Sequence, residues 1–481
     1  MKKILNKYTK LPVQIRISFW FLICSFFQRA ISVITVPIFT RLLTSSEYGE
    51  YNVFNSWLGI LSIIVSLNLY TAVYEQGLIK FSDDKRELTS SFQGLVLTLT
   101  GCWFIVYILF REFWNSLFSL NTIQMMAMFV IMWTSSVFNF WALEQRVEFK
   151  YKALLLITIL VAILQPGIGI IFVVFAKDKV TARIIGIALV QIVFYTHFFF
   201  VHLYKGKRFF SKRFWKYGVL FNLPLIPHFL SQVLLNNSDR IMINSIVGSA
   251  EAGIYGLAYS VAMIMILFNT SFMQALSPWI YQKIKEGKIE SITPVAYSAL
   301  ILIAVVNLLL ILLAPEAISL FAPAEYHEAI WVIPPIAMSV YLMFAYDLFS
   351  KFSFYYEKNL FVMCASISGA LLNIGLNYIF LPLFGYIAAG YTTLICYILF
   401  AVLHYCCMKS VCNQYLDGKT PYELSKLLAI SGCFMVLGFL FMCIYEWYLI
   451  RYGCLLIIVV VCIFKRKKII ALMRLLFKNN N

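Results

Sequence analysis

Charge is what this 481-residue sequence has least of. Asp, Glu, Lys and Arg make up 13% of it, against 62% apolar residues. A soluble domain carries about 25% charged and about 45–50% apolar residues, so that class is excluded. Long polar loops are missing too. No connection between apolar runs exceeds about twenty residues, which leaves no room for a soluble domain. The 11 cysteines form no CxxC pair. Most, including Cys24, Cys102, Cys364, Cys433 and Cys462, lie within apolar runs, where a free cysteine behaves as a small hydrophobe. Cys406, Cys407 and Cys412 cluster at a helix end, but no His pair or second Cys pair completes four ligands. Neither a metal nor a cofactor is expected. A small-residue cleavage site is also lacking after the first apolar run. That run follows a basic head (Lys2, Lys3, Lys7, Lys10, Arg16) and reads as a retained first span.

What the sequence has is a succession of apolar runs, each long enough to cross a bilayer. The expected fold is all-α integral membrane, with fourteen spans at about 17–42, 51–79, 89–110, 120–143, 153–176, 183–204, 218–247, 253–282, 292–314, 329–350, 360–384, 387–408, 424–446 and 449–464. Twelve spans with a re-entrant pair is the alternative count. The connections alternate in charge: 31 of the 39 Lys and Arg fall on one side of the membrane. Only Arg41, Arg111, Lys177, Lys179, Arg183 and Arg451 fall on the other, while Arg29 and Arg240 lie inside spans. By the positive-inside rule both termini are cytoplasmic, in a bacterial inner membrane. The same asymmetry accounts for the net charge of +17 without nucleic acid. The basic loop Lys205–Lys216 reads as a topology determinant.

An internal repeat divides the chain. Glu47-Tyr48-Gly49-Glu50-Tyr51 and Glu251-Ala252-Gly253-Ile254-Tyr255 share the pattern E-x-G-x-Y at an offset of 204 residues, and Gly186 and Gly390 keep the same offset. Ser66 and Tyr70 of the second span correspond in this register to Thr270 and Gln274 of the eighth. Six spans per copy in the same orientation imply two lobes around a central cavity, related by an axis along the membrane normal. The expected organisation is a lobe at 1–204, a basic linker at 205–217, a second lobe at 218–409, extra helices at 424–464 and a basic tail at 465–481. This is the architecture of a transporter.

Polar residues in a membrane helix cost free energy unless they face protein or water. The first span places Ser18, Ser25, Gln28, Arg29, Ser32 and Thr35 on one side. In the seventh, Asn222, His228, Gln232, Asn236, Asp239, Arg240 and Asn244 share an arc, and Pro224 and Pro227 are expected to break its start. The commoner role of such Ser and Asn residues is packing between helices. Arg29 is different, because a guanidinium at mid-membrane costs at least about 2.5–3.5 kcal/mol and no acid lies within one turn of it. Arg29, Arg240, Asp239, Gln28, Tyr70 and Gln274 are therefore the candidate cavity ligands. Glu75, His228, Asp347 and Lys351 are candidates for coupling or gating, although Asp347 and Lys351, at i,i+4, also suit a simple pair.

These motifs carry a resemblance. Arg41-Leu42-Leu43-Thr44 followed by Glu47–Tyr51 resembles the first outer hairpin of the Wzx-type polysaccharide flippases of the MOP superfamily. Asp239-Arg240 with Gly253-Ile254-Tyr255-Gly256-Leu257-Ala258 resembles the start of their second lobe. Leu381-Pro382-Leu383-Phe384-Gly385 with Ile387-Ala388-Ala389-Gly390 resembles their helix 11–12 turn, with Ala388 where a second Gly is usual. The resemblance implies export of undecaprenyl-diphosphate-linked oligosaccharide, for O-antigen, capsule or exopolysaccharide, by alternating access. The partners on that reading are the lipid-linked cargo, membrane lipids, a polysaccharide polymerase and a chain-length regulator. A peptidoglycan-precursor flippase and a MATE-type cation or drug antiporter stand as alternatives. A polysaccharide polymerase is more distant, since the longest loops, 205–217 and 409–423, hold one acid between them, Asp417. No enzymatic activity is expected.

Overall fold

The computed structural model describes residues 13–148 and 150–466, with the side chains of 13–19, 21–23, 25, 26, 29, 275 and 359 outside the description. Among the described residues the chain forms helices and turns and no strand. In order, the helices are α1 (Val13–Leu42), α2 (Ser45–Ser66), α3 (Ala72–Lys80), α4 (Lys85–Leu109), α5 (Arg111–Phe118), α6 (Thr122–Val147), α7 (Lys152–Phe175), α8 (Lys179–Gly206) and α9 (Lys212–Asn222). There follow α10 (Ile226–Ile246), α11 (Ser249–Lys285), α12 (Ile292–Leu312), α13 (Ala314–Phe321), α14 (Ile333–Tyr355), α15 (Asn359–Phe384), α16 (Ile387–Tyr415), α17 (Leu424–Cys443) and α18 (Tyr448–Phe464).

Eleven helical stretches among the described residues are long and apolar enough to cross a membrane. They cover α4, α6–α8, α9 and α10 as one stretch, α11, α12 and α14–α17. The second and last expected spans do not meet that measure, and many side chains of the first, 17–42, lie outside the description. α18 is a shorter apolar helix, as is the Ala30–Leu42 part of α1. The second expected span is broken. α2 ends at Ser66, and Leu67 and Asn68 take φ of 50° and 52°, the left-handed region, before α3 resumes at Ala72. The expected break in the seventh span is present: a 3-10 turn at Leu223–Leu225, with Pro224 near its start, separates α9 from α10.

The two breaks are tied together. Asn222, fully buried, donates through Nδ2 to the carbonyls of Leu67 and Asn68, both at 2.9 Å. Those are carbonyls that a continuous α2–α3 helix would have used itself.

Packing divides the chain into a first unit ending at Asn237 and a second beginning at Ser238. In the first unit one core cluster joins Phe54 of α2, Met128 and Ile131 of α6 and Ile184 of α8. Another joins Tyr74 of α3, Leu88 and Phe92 of α4 and Phe140 of α6. In the second unit α14 is the central element, the most buried of the membrane-length helices among the described residues. Asn269 of α11 donates to the Val340 carbonyl of α14 at 2.7 Å. Helix starts explain part of the repeat. Thr44 and Glu47 form a capping box at α2, so the first Glu of E-x-G-x-Y closes a helix end. In the second copy the Glu251 carboxylate folds back over Gly248, so closely that a Cβ there would lie 2.4 Å from its oxygen.

Candidate functional site

Two of the cavities in the first unit share Gln28 of α1. The smaller, about 280 Å³, is lined by Gln28, Ser32 and Thr35, by Tyr51 of α2, by Ala162, Gln165 and Pro166 of α7, and by Arg183 and Tyr195 of α8. The larger, about 570 Å³, is lined by Gln28, by Tyr70, Thr71 and Glu75 around the break before α3, by Asn139 and Arg146 of α6, and by Thr158 of α7.

Local structure explains how each cation gets there. Gly186 sits one turn beyond Arg183 on α8. A Cβ at Gly186 would lie 3.2 Å from the backbone of Gly169, so α7 and α8 approach backbone to backbone at that level. Arg183, only 9% exposed, is thereby held with its guanidinium carbon 3.5 Å from the Phe39 ring centre and 3.4 Å from that of Tyr51. Stacking on two rings occupies both faces of the guanidinium and fixes its plane. Pro166, inside α7, has no N–H to offer the carbonyl of Ala162, and both residues line the cavity. Arg146 occupies the last turn of α6, where the helix dipole favours a cation.

In the second unit, Asp239 of α10 is 2% exposed and its carboxylate is surrounded by donors. Tyr255 of α11 donates to Oδ2 at 2.5 Å, Thr393 of α16 to Oδ2 at 2.9 Å and Asn377 of α15 to Oδ1 at 2.6 Å. An outer ring completes the network. Thr392 donates to Asn377 Oδ1 at 2.5 Å, and Asn373 Oδ1 accepts from Ser238 at 2.9 Å. All of these residues are buried. Each neutral donor stabilises the ionised carboxylate and burial opposes it, so two hydroxyls and an amide decide whether a charge is held there.

The remaining candidates fall in several places. Gln28, Tyr70 and Glu75 come together in the larger cavity. Arg29 lies on α1, but its side chain is outside the described residues. The Arg240 guanidinium carbon sits 4.3 Å from the Tyr259 ring centre, so it and Asp239, adjacent in sequence, serve different partners. Gln274 is exposed on α11. His228 Nε2 lies 3.3 Å from Gln232 Nε2 on α10. Lys351 pairs with Asp347 at 2.6 Å along α14, the local pair that their spacing suggested.

Sequence reasoning missed Arg146 and Arg183, which it counted among loop charges. It also missed Asn373, Asn377, Thr392 and Thr393. The available signal was an i,i+4 Asn pair on an otherwise apolar helix, opposite a Thr pair on the next.

Membrane-length helices enclosing polar, guanidinium-bearing cavities and a buried carboxylate define a polytopic membrane transporter. Residues 16–284 match the family described as polysaccharide biosynthesis protein, and residues 224–379 match MatE. The chain belongs to the polysaccharide biosynthesis protein family, among the flippases of the MOP superfamily. Protein 1 of the Lsg locus of Haemophilus influenzae is 21% identical over 374 residues, which cover 72% of this chain and 86% of that protein. The fold is similar to that of the lipid II flippase MurJ in its inward closed conformation. The TM-score is 0.68 at 15% identity, with 93% of this chain and 99% of that one covered. It is also similar to an inward-facing multidrug resistance MATE family transporter. There the TM-score is 0.62 at 13% identity, over 81% of this chain and 96% of that one.

Proposed function

We propose that this transporter moves undecaprenyl-diphosphate-linked oligosaccharide repeat units from the inner to the outer leaflet of the bacterial cytoplasmic membrane. Two lobes alternate access, both termini are cytoplasmic, and the product feeds O-antigen, capsule or exopolysaccharide synthesis. The observation that carries the reading is the pair of polar cavities, each bearing a guanidinium, inside a membrane-embedded unit of a polysaccharide biosynthesis family member. A sugar–diphosphate head group loses its hydration in hydrocarbon. Amides, hydroxyls and guanidinium forks substitute for that water while the polyprenyl tail stays in lipid. An interior-negative potential assists outward movement of the anion by about 2.3 kcal/mol per charge per 100 mV.

Asp239 is the residue best suited to coupling, by proton or by sodium, because its buried charge must be offset from within the protein. Export of a peptidoglycan precursor is the second reading, favoured by the extent of the likeness to MurJ. Deleting the gene separates the two. Loss of surface polysaccharide, with single repeat units accumulating on undecaprenyl diphosphate, supports the first. Intact surface polysaccharide with impaired peptidoglycan-precursor export supports the second.

A further inference from the structure

The segment from Gly206 to Asn222, which leads from the end of α8 through α9, is locked onto α4. The Ser90 hydroxyl donates to the Arg208 carbonyl at 2.6 Å, and the Trp215 indole donates to the Ser91 carbonyl at 2.9 Å. A Cβ at Gly94 would lie 2.1 Å from the Phe209 carbonyl oxygen, and one at Gly206 would lie 2.2 Å from that of Arg86. The charges around this segment divide unevenly. Arg213 pairs with Asp84 at 3.0 Å and Arg208 with Glu87 at 3.8 Å. Glu148 takes Lys85 and Lys150, and Glu144 takes His202. Lys205, Lys207, Lys212 and Lys216 are exposed, and among the described residues none of them comes within ion-pair distance of a carboxylate. Against these four stands Asp83, exposed in the turn before α4. Phe209 and Phe210 are exposed between the lysines. Lys212, Lys216 and Leu220 follow one another four residues apart along one exposed edge of α9, which is basic in its first two turns and apolar in its third.

We infer that this segment is a docking surface for anionic phospholipid, its four lysines holding head-group phosphates of the cytoplasmic leaflet. The choice of leaflet rests on the orientation proposed above; the lipid chemistry follows from the segment itself. α9 and α10 together form one stretch of membrane length, so the start of α9 is its head-group end. The change from lysine to leucine along one edge suits a helix that passes from head groups into hydrocarbon. Phe209 and Phe210 add apolar surface beside the lysines, as an interfacial segment requires. Asp84 and Glu87 are taken up by the two arginines, which leaves the charge of the lysines uncancelled. Each lysine near an anionic surface adds to the attraction, which fades within a Debye length. A topology determinant needs the number of its charges and no fixed placement. Here two hydrogen bonds and two close glycine contacts fix the backbone, so the lysines are displayed from set positions.

The test uses the full-length protein in nanodiscs of phosphatidylethanolamine with phosphatidylglycerol as the minor lipid, one or the other radiolabelled. A photo-crosslinking benzophenone amino acid replaces Phe210, beside the lysines, or Phe113, exposed on α5 at the opposite side of the membrane in the proposed topology. At position 210 the parent protein is expected to capture phosphatidylglycerol about fivefold or more above its share of the bilayer, the factor that a single lysine near an anionic surface supplies. At position 113 capture follows the bilayer composition. Changing Lys205, Lys207, Lys212 and Lys216 together to Gln returns capture at 210 to the bilayer composition. The same four positions changed to Arg keep the enrichment, which excludes misfolding as the cause of its loss. Capture at 210 that follows the bilayer composition in the parent overturns the proposal, as does enrichment that survives the fourfold Lys→Gln change. Equal enrichment at 113 overturns it too, since it marks attraction to the whole protein. Failure of the orientation is read separately, with a membrane-impermeant amine reagent that is expected to modify Lys207 in inside-out vesicles and to spare it in right-side-out ones. The reverse pattern overturns the cytoplasmic assignment, whatever the capture ratio.

Discussion

At the scale of single residues, the Asp239 carboxylate makes the sharpest prediction. Three buried donors, from Tyr255, Asn377 and Thr393, converge on it. Asp239→Ala strands them at about 1–3 kcal/mol each, an upper bound for partners that relax together. Asp239→Asn keeps the shape and removes the charge. The expected result is that Asp239→Asn reaches the membrane at normal level and melts within a few degrees of the parent, yet exports no polysaccharide. Immunoblot, melting curve and polysaccharide stain read the three quantities, and full export would remove Asp239 from coupling. Glu148, beyond the end of α6, makes a separate prediction. Partial burial pushes its carboxyl up, but hydrogen bonds from Lys150 and Lys85 outweigh that and hold it below the usual carboxylate range. A carboxyl lowered on folding contributes stability that is present above its unfolded value, about 4.3, and is lost as pH falls through the folded one. The melting temperature of Glu148→Gln should therefore lie below that of the parent at pH 7, and the gap should close as the pH is taken below about 4. Asp239 was legible as an acid on a polar arc. Its partners were not, because they lie 138 and 154 residues further on, and only packing brings them together.

Among the helices, the paired breaks carry the argument. Pro224 and Pro227 announced the one between α9 and α10. Nothing announced the other: Leu67 and Asn68 are not glycine, and their left-handed backbone is held by context. That context is Asn222, whose side chain takes up the Leu67 carbonyl and shares the Asn68 carbonyl with the N–H and hydroxyl of Thr71. Asn222→Ala should lower the stability of the purified protein by about 1–3 kcal/mol through the buried Leu67 carbonyl it leaves unsatisfied, since Thr71 still donates to the Asn68 carbonyl, measured by thermal unfolding in detergent. Asn222→Asp, which cannot donate, should be at least as damaging. An unchanged melting temperature in both would show that the breaks stand without it. Arg146 and Arg183 were unreadable for a similar reason. Each lies within a turn or two of a helix end, where positive charge is ordinary topology, and only the Gly169–Gly186 approach and the two cavities reveal a second use.

Across the whole molecule, composition alone settled the membrane class, because 13% charge leaves no other compact solution for a chain this long. The repeat is visible in the helices themselves. α2 begins at Ser45 and α11 at Ser249, the same 204-residue offset that relates their E-x-G-x-Y motifs. The final tyrosines of those motifs have diverged in use: Tyr51 packs on the Arg183 cation, whereas Tyr255 donates to the Asp239 anion. A duplicated frame whose equivalent tyrosines meet opposite charges suits a transporter that holds anionic cargo in one lobe and couples through the other. The number of crossings was less legible, since a helix interrupted by a break or shortened at its end escapes any rule of length and apolarity. The most direct test of the account is flipping by the purified protein in proteoliposomes, with a labelled undecaprenyl-diphosphate oligosaccharide and a membrane-impermeant oxidant that attacks only outward-facing sugar. The account predicts that the oxidisable fraction rises with time above that of protein-free liposomes, and that Arg183→Gln abolishes the rise. An oxidisable fraction equal to that of protein-free liposomes, with the same vesicles moving a drug cation or a peptidoglycan precursor instead, would contradict it.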